Sequence, residues 1–126
     1  MSNEMLEKIF DKLLDGMPKS WDKVILYIAY FEGSYTMKYY VKEDKGNYID
    51  CYSLKGMSNA KAIKIFMAID KIIIPEREAL GDKKWTVMTL EVNSDGSFKS
   101  DFDYKDISTD SLSYEEKWEE SRMKHA

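Results

Sequence analysis

The sequence predicts an α+β fold: a five-stranded antiparallel sheet with helices mainly on one face, in the order α-β-β-β-α-β-β-α. Three observations lead there. Apolar residues recur at helical spacing in a few separate segments, and β-branched and aromatic runs come in hairpin pairs joined by glycine-bearing turns. The helices are also too few to cover both faces of a sheet. At 126 residues the chain is expected to be a single domain spanning 1–126, long enough to bury roughly two-thirds of its unfolded surface without disulfides or metals.

Taken in order, Met5, Leu6, Ile9, Phe10, Leu13, Leu14 and Met17 recur every three or four residues and mark an amphipathic helix that Gly16 and Pro18 end. Trp21 to Phe31 reads as a strand, and Glu32-Gly33 turns it. In the next strand Tyr35, Met37, Tyr39 and Val41 alternate with Thr36, Lys38, Tyr40 and Lys42, which form a polar face. Asp44-Lys45-Gly46-Asn47 is the following turn, before a short third strand at Tyr48 to Ser53.

Ser58-Asn59 supplies N-cap candidates for a second helix, with Ala60, Ile63, Phe66, Met67, Ile69 and Ile73 expected on its buried side and Pro75 expected to stop or kink it. Trp85 to Val92 and Ser97 to Tyr104 form a last hairpin around Asn93-Ser94-Asp95-Gly96. Ser113-Tyr114-Glu115-Glu116 has the spacing of a capping box for a final helix.

That last hairpin has two unlike faces. Phe98, Phe102 and Tyr104 are expected to meet the core, whereas Asp101 and Asp103 share the opposite side because side chains two apart on a strand point the same way. Paired aspartates can bind a divalent cation or serve as acid and base in glycoside cleavage. Asp-x-Asp on an amphipathic strand is also the ordinary pattern of a solvated outer face, so the pair alone does not specify an enzyme.

Other catalytic readings find little material. His125 is the only histidine and lies one residue from the C-terminus, where chains fray. The glycines fall at expected element ends, where left-handed backbone is needed, and none forms a phosphate-binding loop. Cys51 is the only cysteine and reads as a half-buried strand residue. No catalytic residue, metal ligand or cofactor is therefore expected.

Charge is more telling. Net charge is −4, but from Trp85 onward ten acids stand against five bases, a balance of −5 that exceeds the whole chain's excess. Such a surface repels nucleic acid and anionic lipid and attracts basic proteins. The N-terminus lacks the basic start and apolar centre of a secretory signal, and Val24 to Phe31 is far shorter than the roughly 20 residues of a spanning helix, so a cytoplasmic location is expected.

The Trp85-led strand, Gly96, Phe98-Lys99, Phe102-Asp103-Tyr104 and then Tyr114-x-x-x-Trp118 occur in the order seen in the YezG-like (EsaG-like) antitoxins, and Pro18-x-x-Trp21 extends the match toward the N-terminus. The chain resembles this family over nearly its whole length. The resemblance implies a non-catalytic immunity protein that binds and blocks the C-terminal domain of a cognate toxin, of nuclease or related activity. Read with the charge, it makes Asp101, Asp103, Asp106, Asp110, Glu115, Glu116, Glu119 and Glu120 the expected partner-facing acids. Tyr40 and Tyr52 are expected to be exposed beside them as anchors. A monomer or weak dimer is expected. The alternative is a small, acidic, dimeric secretion chaperone with a similar element order.

Overall fold

The computed structural model describes residues 3–43 and 46–123. His125, the Asp44-Lys45 half of the expected second turn and the first two residues lie outside them. Helix α1 (Asn3–Leu14) is followed by β1 (Lys23–Phe31), β2 (Ser34–Lys42) and β3 (Tyr48–Asp50), then by helix α2 (Asn59–Glu78), strands β4 (Val87–Asn93) and β5 (Phe98–Asp103), and helix α3 (Ser111–Met123). The five strands form one sheet in the order β3-β2-β1-β4-β5, antiparallel throughout. This is the predicted α+β class and element order.

Strand β1 is central, and every residue from Val24 to Tyr30 is buried. Its even-numbered side chains, Val24, Leu26 and Ile28, pack with α1 and α2, while Ile25, Tyr27 and Ala29 pack with α3. Two of the three helices thus share one face, as expected, and the third lies on the other. Continuous apolar sequence in β1 is the signature of burial on both sides.

The hairpin turns are local. Gly33, between Phe31 and Ser34, has a φ of 78°, a left-handed backbone that a β-carbon would disfavour. Gly16 departs from the expected rule, because its φ is not in the left-handed region. It is needed instead for close approach: a β-carbon there would stand 2.2 Å from the Tyr39 hydroxyl, which donates to the Gly16 carbonyl at 2.8 Å.

Helix α2 corrects the expected buried side and the expected stop at Pro75. Its buried side is Ala62, Phe66, Ile69 and Ile73, with Ile65 also covered, whereas Ala60, Ile63 and Met67 are exposed. Apolar residues run almost all round this helix, so periodicity could not choose the buried side; the sheet and α1 chose it. Pro75 does not stop the helix, which runs on to Glu78. Proline inside a helix costs about 3 kcal/mol, and the next turn is held by Arg77, whose Nε and Nη2 both donate to the Trp85 carbonyl while its guanidinium lies over the Tyr30 and Trp85 rings. Ser58 caps the helix as expected, its hydroxyl accepting from Lys61 N at 3.1 Å.

Three smaller differences complete the comparison. The third strand ends at Asp50, and Cys51–Ser53 form a 3-10 turn in which Cys51 is fully buried. Phe98 and Tyr104 are exposed rather than core, because β5 is an edge strand that reaches the core through Phe102 against Trp85. The final helix starts at Ser111, before the expected capping box, and the Asp110 carbonyl accepts from Tyr114 N at 3.0 Å. Among the described residues no helix is long and apolar enough to cross a membrane.

Candidate partner-binding face

The acidic side of the β4–β5 hairpin faces α3, and this decides the fate of its carboxylates. Trp118 is the one buried residue of α3. It packs on Tyr27 at 4.8 Å and Tyr40 at 5.9 Å between ring centroids, and its indole nitrogen donates to Thr89 Oγ1 at 2.8 Å. Around this apolar centre runs a ring of polar contacts. The Tyr114 hydroxyl donates to Asp103 Oδ2 at 2.6 Å, Arg122 donates to Asp101 Oδ2 at 3.1 Å, and Lys38 donates to Glu115 at 3.1 Å and lies 3.6 Å from Glu119. The Tyr40 hydroxyl donates to Glu119 Oε1 at 2.6 Å.

Tyr40 is therefore buried, not exposed beside the carboxylates as the sequence suggested. On the polar face of β2, Lys38 and Tyr40 meet α3. Asp101, Asp103, Glu115 and Glu119 bond to other elements of the chain, Asp101 while still 53% exposed. Asp106, Asp110, Glu116 and Glu120 are exposed, Asp106 accepting from Ser108 N at 3.0 Å in a local turn. Among them stand the two most exposed large apolar side chains of the described residues, Tyr104 at 61% and Leu112 at 68%. Tyr52 is exposed as expected, but it follows β3, at the sheet edge farthest from β5.

The electrostatics follow from these contacts. The Tyr114 hydrogen bond, with help from the Lys105 amide, holds the Asp103 carboxyl below the usual carboxylate range, and burial together with the same bond raises the Tyr114 phenol. Burial alone would lower the Lys38 amine, but its hydrogen bond to Glu115 and the charges of Glu115 and Glu119 outweigh that and raise it. An aspartate held ionised in this way is a poor proton donor, so Asp103 is ill suited to general-acid work. Burial pushes the Cys51 thiol up to about 11, which keeps it protonated at neutral pH. Among the described residues no three acids, histidines or cysteines are grouped to hold a metal ion.

Glu91 is the residue that sequence reasoning missed. It is nearly buried on β4, with Lys99 3.0 Å away and Lys23 and Arg122 each at 3.9 Å. Its Oε2 lies at ion-pair distance from Lys99 with no aligned hydrogen bond to it, so the contact is a charge pair. A signal did exist: Glu115, Trp118, Glu119 and Arg122 fall at helical spacing on one side of α3, which marks a charged rim around one aromatic anchor.

The family model for YezG-like immunity proteins matches residues 2–125. The chain belongs to that family. No curated protein matches it. As a YezG-like protein it is an immunity protein, whose partner is a toxin protein, and immunity proteins are in general not enzymes. The residues that carried the resemblance have structural work in this fold: Trp85, Phe102 and Trp118 are packing anchors on the two faces of the sheet.

Proposed function

We propose that this YezG-like protein neutralises a cognate toxin of nuclease type by laying its outer acidic surface, between Tyr104 and Glu120, over the toxin's active site or substrate cleft. The observation that carries the reading is the exposure of Tyr104 and Leu112 among the exposed carboxylates of Asp106, Asp110, Glu116 and Glu120. A nuclease cleft is basic because it holds phosphates. Carboxylates steer such a cleft into place and fix its orientation, while an aromatic and an aliphatic side chain supply the desolvated contact.

In this reading Asp101, Asp103, Glu115 and Glu119 act at one remove, adding to the negative field while they and Tyr40 hold α3 in the pose that presents the outer residues. Tyr52 stays outside the contact. The secretion-chaperone alternative is set aside because the family match spans residues 2–125. The test is binding to the toxin domain encoded beside the gene. Joint reversal of Asp106, Asp110 and Glu116 to lysine should weaken affinity at least ~100-fold, chiefly through slower association, and raise host sensitivity to the toxin. Unchanged affinity in the reversed variant would overturn the docking surface.

A further inference from the structure

The outward side of α2 is an unclaimed surface. Ile63, Met67 and Ile74 are 54%, 51% and 44% exposed, and at 100° per residue they fall within about 40° of one another, on the side of the helix facing neither the sheet nor α1. Ala60 is exposed one turn before Ile63. At the C-terminal end of this stripe a groove of about 510 Å³ opens between α2 and the β1–β2 hairpin, lined by Tyr35, Asp70, Ile74, Arg77 and Glu78 among others.

We propose that this side of α2 docks against the same side of a second copy, the two helices running antiparallel. Two features of the helix are self-complementary in that arrangement and in no parallel one. Ile63, near the N-terminal end of the stripe, meets the groove beside Ile74, Arg77 and Glu78 of the copy, and the copy's Ile63 meets the first chain's groove. Charge follows the same symmetry. Lys64 is exposed and flanks the stripe at the N-terminal end, and Glu78 flanks it at the other. Glu78 pairs with Lys84 at 2.8 Å but its side chain is still 60% exposed, so an antiparallel pair sets each lysine against the other copy's glutamate as a second partner. Such a contact is isologous and closes at two copies.

Helix α2 has 20 residues, or about 30 Å of length, which limits the contact to the low end of specific interfaces and makes the dimer reversible. Because α2 and α3 cover opposite faces of the sheet, pairing through α2 leaves the surface from Tyr104 to Glu120 open on both copies.

Sedimentation of the full chain across a dilution series from ~500 to ~1 micromolar tests it. The expected result is a monomer–dimer equilibrium that weakens with salt. Met67→Glu should raise the dissociation constant at least ~10-fold while leaving the thermal midpoint of the dilute, monomeric chain unchanged, because the side chain is exposed. Lys64→Glu alone should weaken the dimer several-fold, and Lys64→Glu combined with Glu78→Lys should restore it, since each altered residue meets the other across the two-fold axis. A chain that stays monomeric throughout overturns the proposal, as does a dimer indifferent to Met67→Glu. A Met67→Glu chain of unchanged mass that binds the toxin more weakly would assign the stripe to the toxin and overturn it as well.

Discussion

The two faces of the sheet are held in different ways. On the α1–α2 face the contact is apolar and broad, from Met5, Ile9 and Leu13 on one helix and Phe66, Ile69 and Ile73 on the other to Leu26, Ile28, Tyr39, Met88 and Leu90 beneath. On the α3 face a small apolar centre, Ile25, Tyr27, Ala29, Val87 and Ile107 around Trp118, is ringed by the Asp103–Tyr114, Asp101–Arg122, Lys38–Glu115 and Tyr40–Glu119 contacts. Apolar area has magnitude without direction, so the first face supplies most of the stability. Charged hydrogen bonds are directional and cost free energy when left unmade, so the second sets where and in what rotation α3 sits.

The contrast predicts different losses. Trp85 joins Arg77, Tyr30 and Phe102 on the first face, so Trp85→Ala should destabilise the whole domain by ~3–5 kcal/mol in denaturant unfolding. A loss below ~1 kcal/mol would mean that the α1–α2 face is not the main source of stability. Trp118→Ala should cost ~3 kcal/mol, and hydrogen exchange should show it first as lost protection in α3, with α1 and α2 still protected. Uniform loss over all helices would erase the distinction between the faces.

The smallest effect comes from the polar ring. Asp103→Asn should cost ~1 kcal/mol near neutral pH, because it removes the charge from a part-buried hydrogen bond. The folded-state pKa of Asp103 is depressed, so its contribution is present above the unfolded value of about 4 and is lost as pH falls through the lower folded value. The raised phenol of Tyr114 works in the opposite sense: its share is present below about 10 and is lost as pH rises through the folded value. Stability measured against pH should therefore fall less steeply on the acid side in Asp103→Asn than in the natural chain. Equal slopes would remove Asp103 from the ring.

Much of the fold is legible in the sequence because its signals are local. Glycine at position 33 turns the chain between Phe31 and Ser34 whatever lies elsewhere, Ser58 caps α2, and the unbroken apolar run from Val24 to Tyr30 marks a strand. The candidate site was less legible. Asp101 and Asp106 look alike as letters, yet Asp101 lies against Arg122, 21 residues away, while Asp106 accepts from Ser108 within its own turn and faces solvent. Tyr40 alternates with the core-facing residues of β2, a pattern that predicts exposure, but Trp118 and Glu119 of α3 cover it.

The sequence by itself determined the element order, the antiparallel pairing, the acidic excess of the last third and, through Trp85, Phe102 and Trp118, the family. Backbone propensity, side-chain periodicity and summed charge act over a few residues or over none in particular, and can be read without coordinates. Only the tertiary structure decided that α3 crosses to the second face, that Asp101, Asp103, Glu115 and Glu119 pair within the chain, and which side of α2 is open. Those outcomes depend on which surfaces meet across tens of residues, and a helix apolar almost all round or a strand with carboxylates on one side is compatible with either outcome until its neighbour is in place.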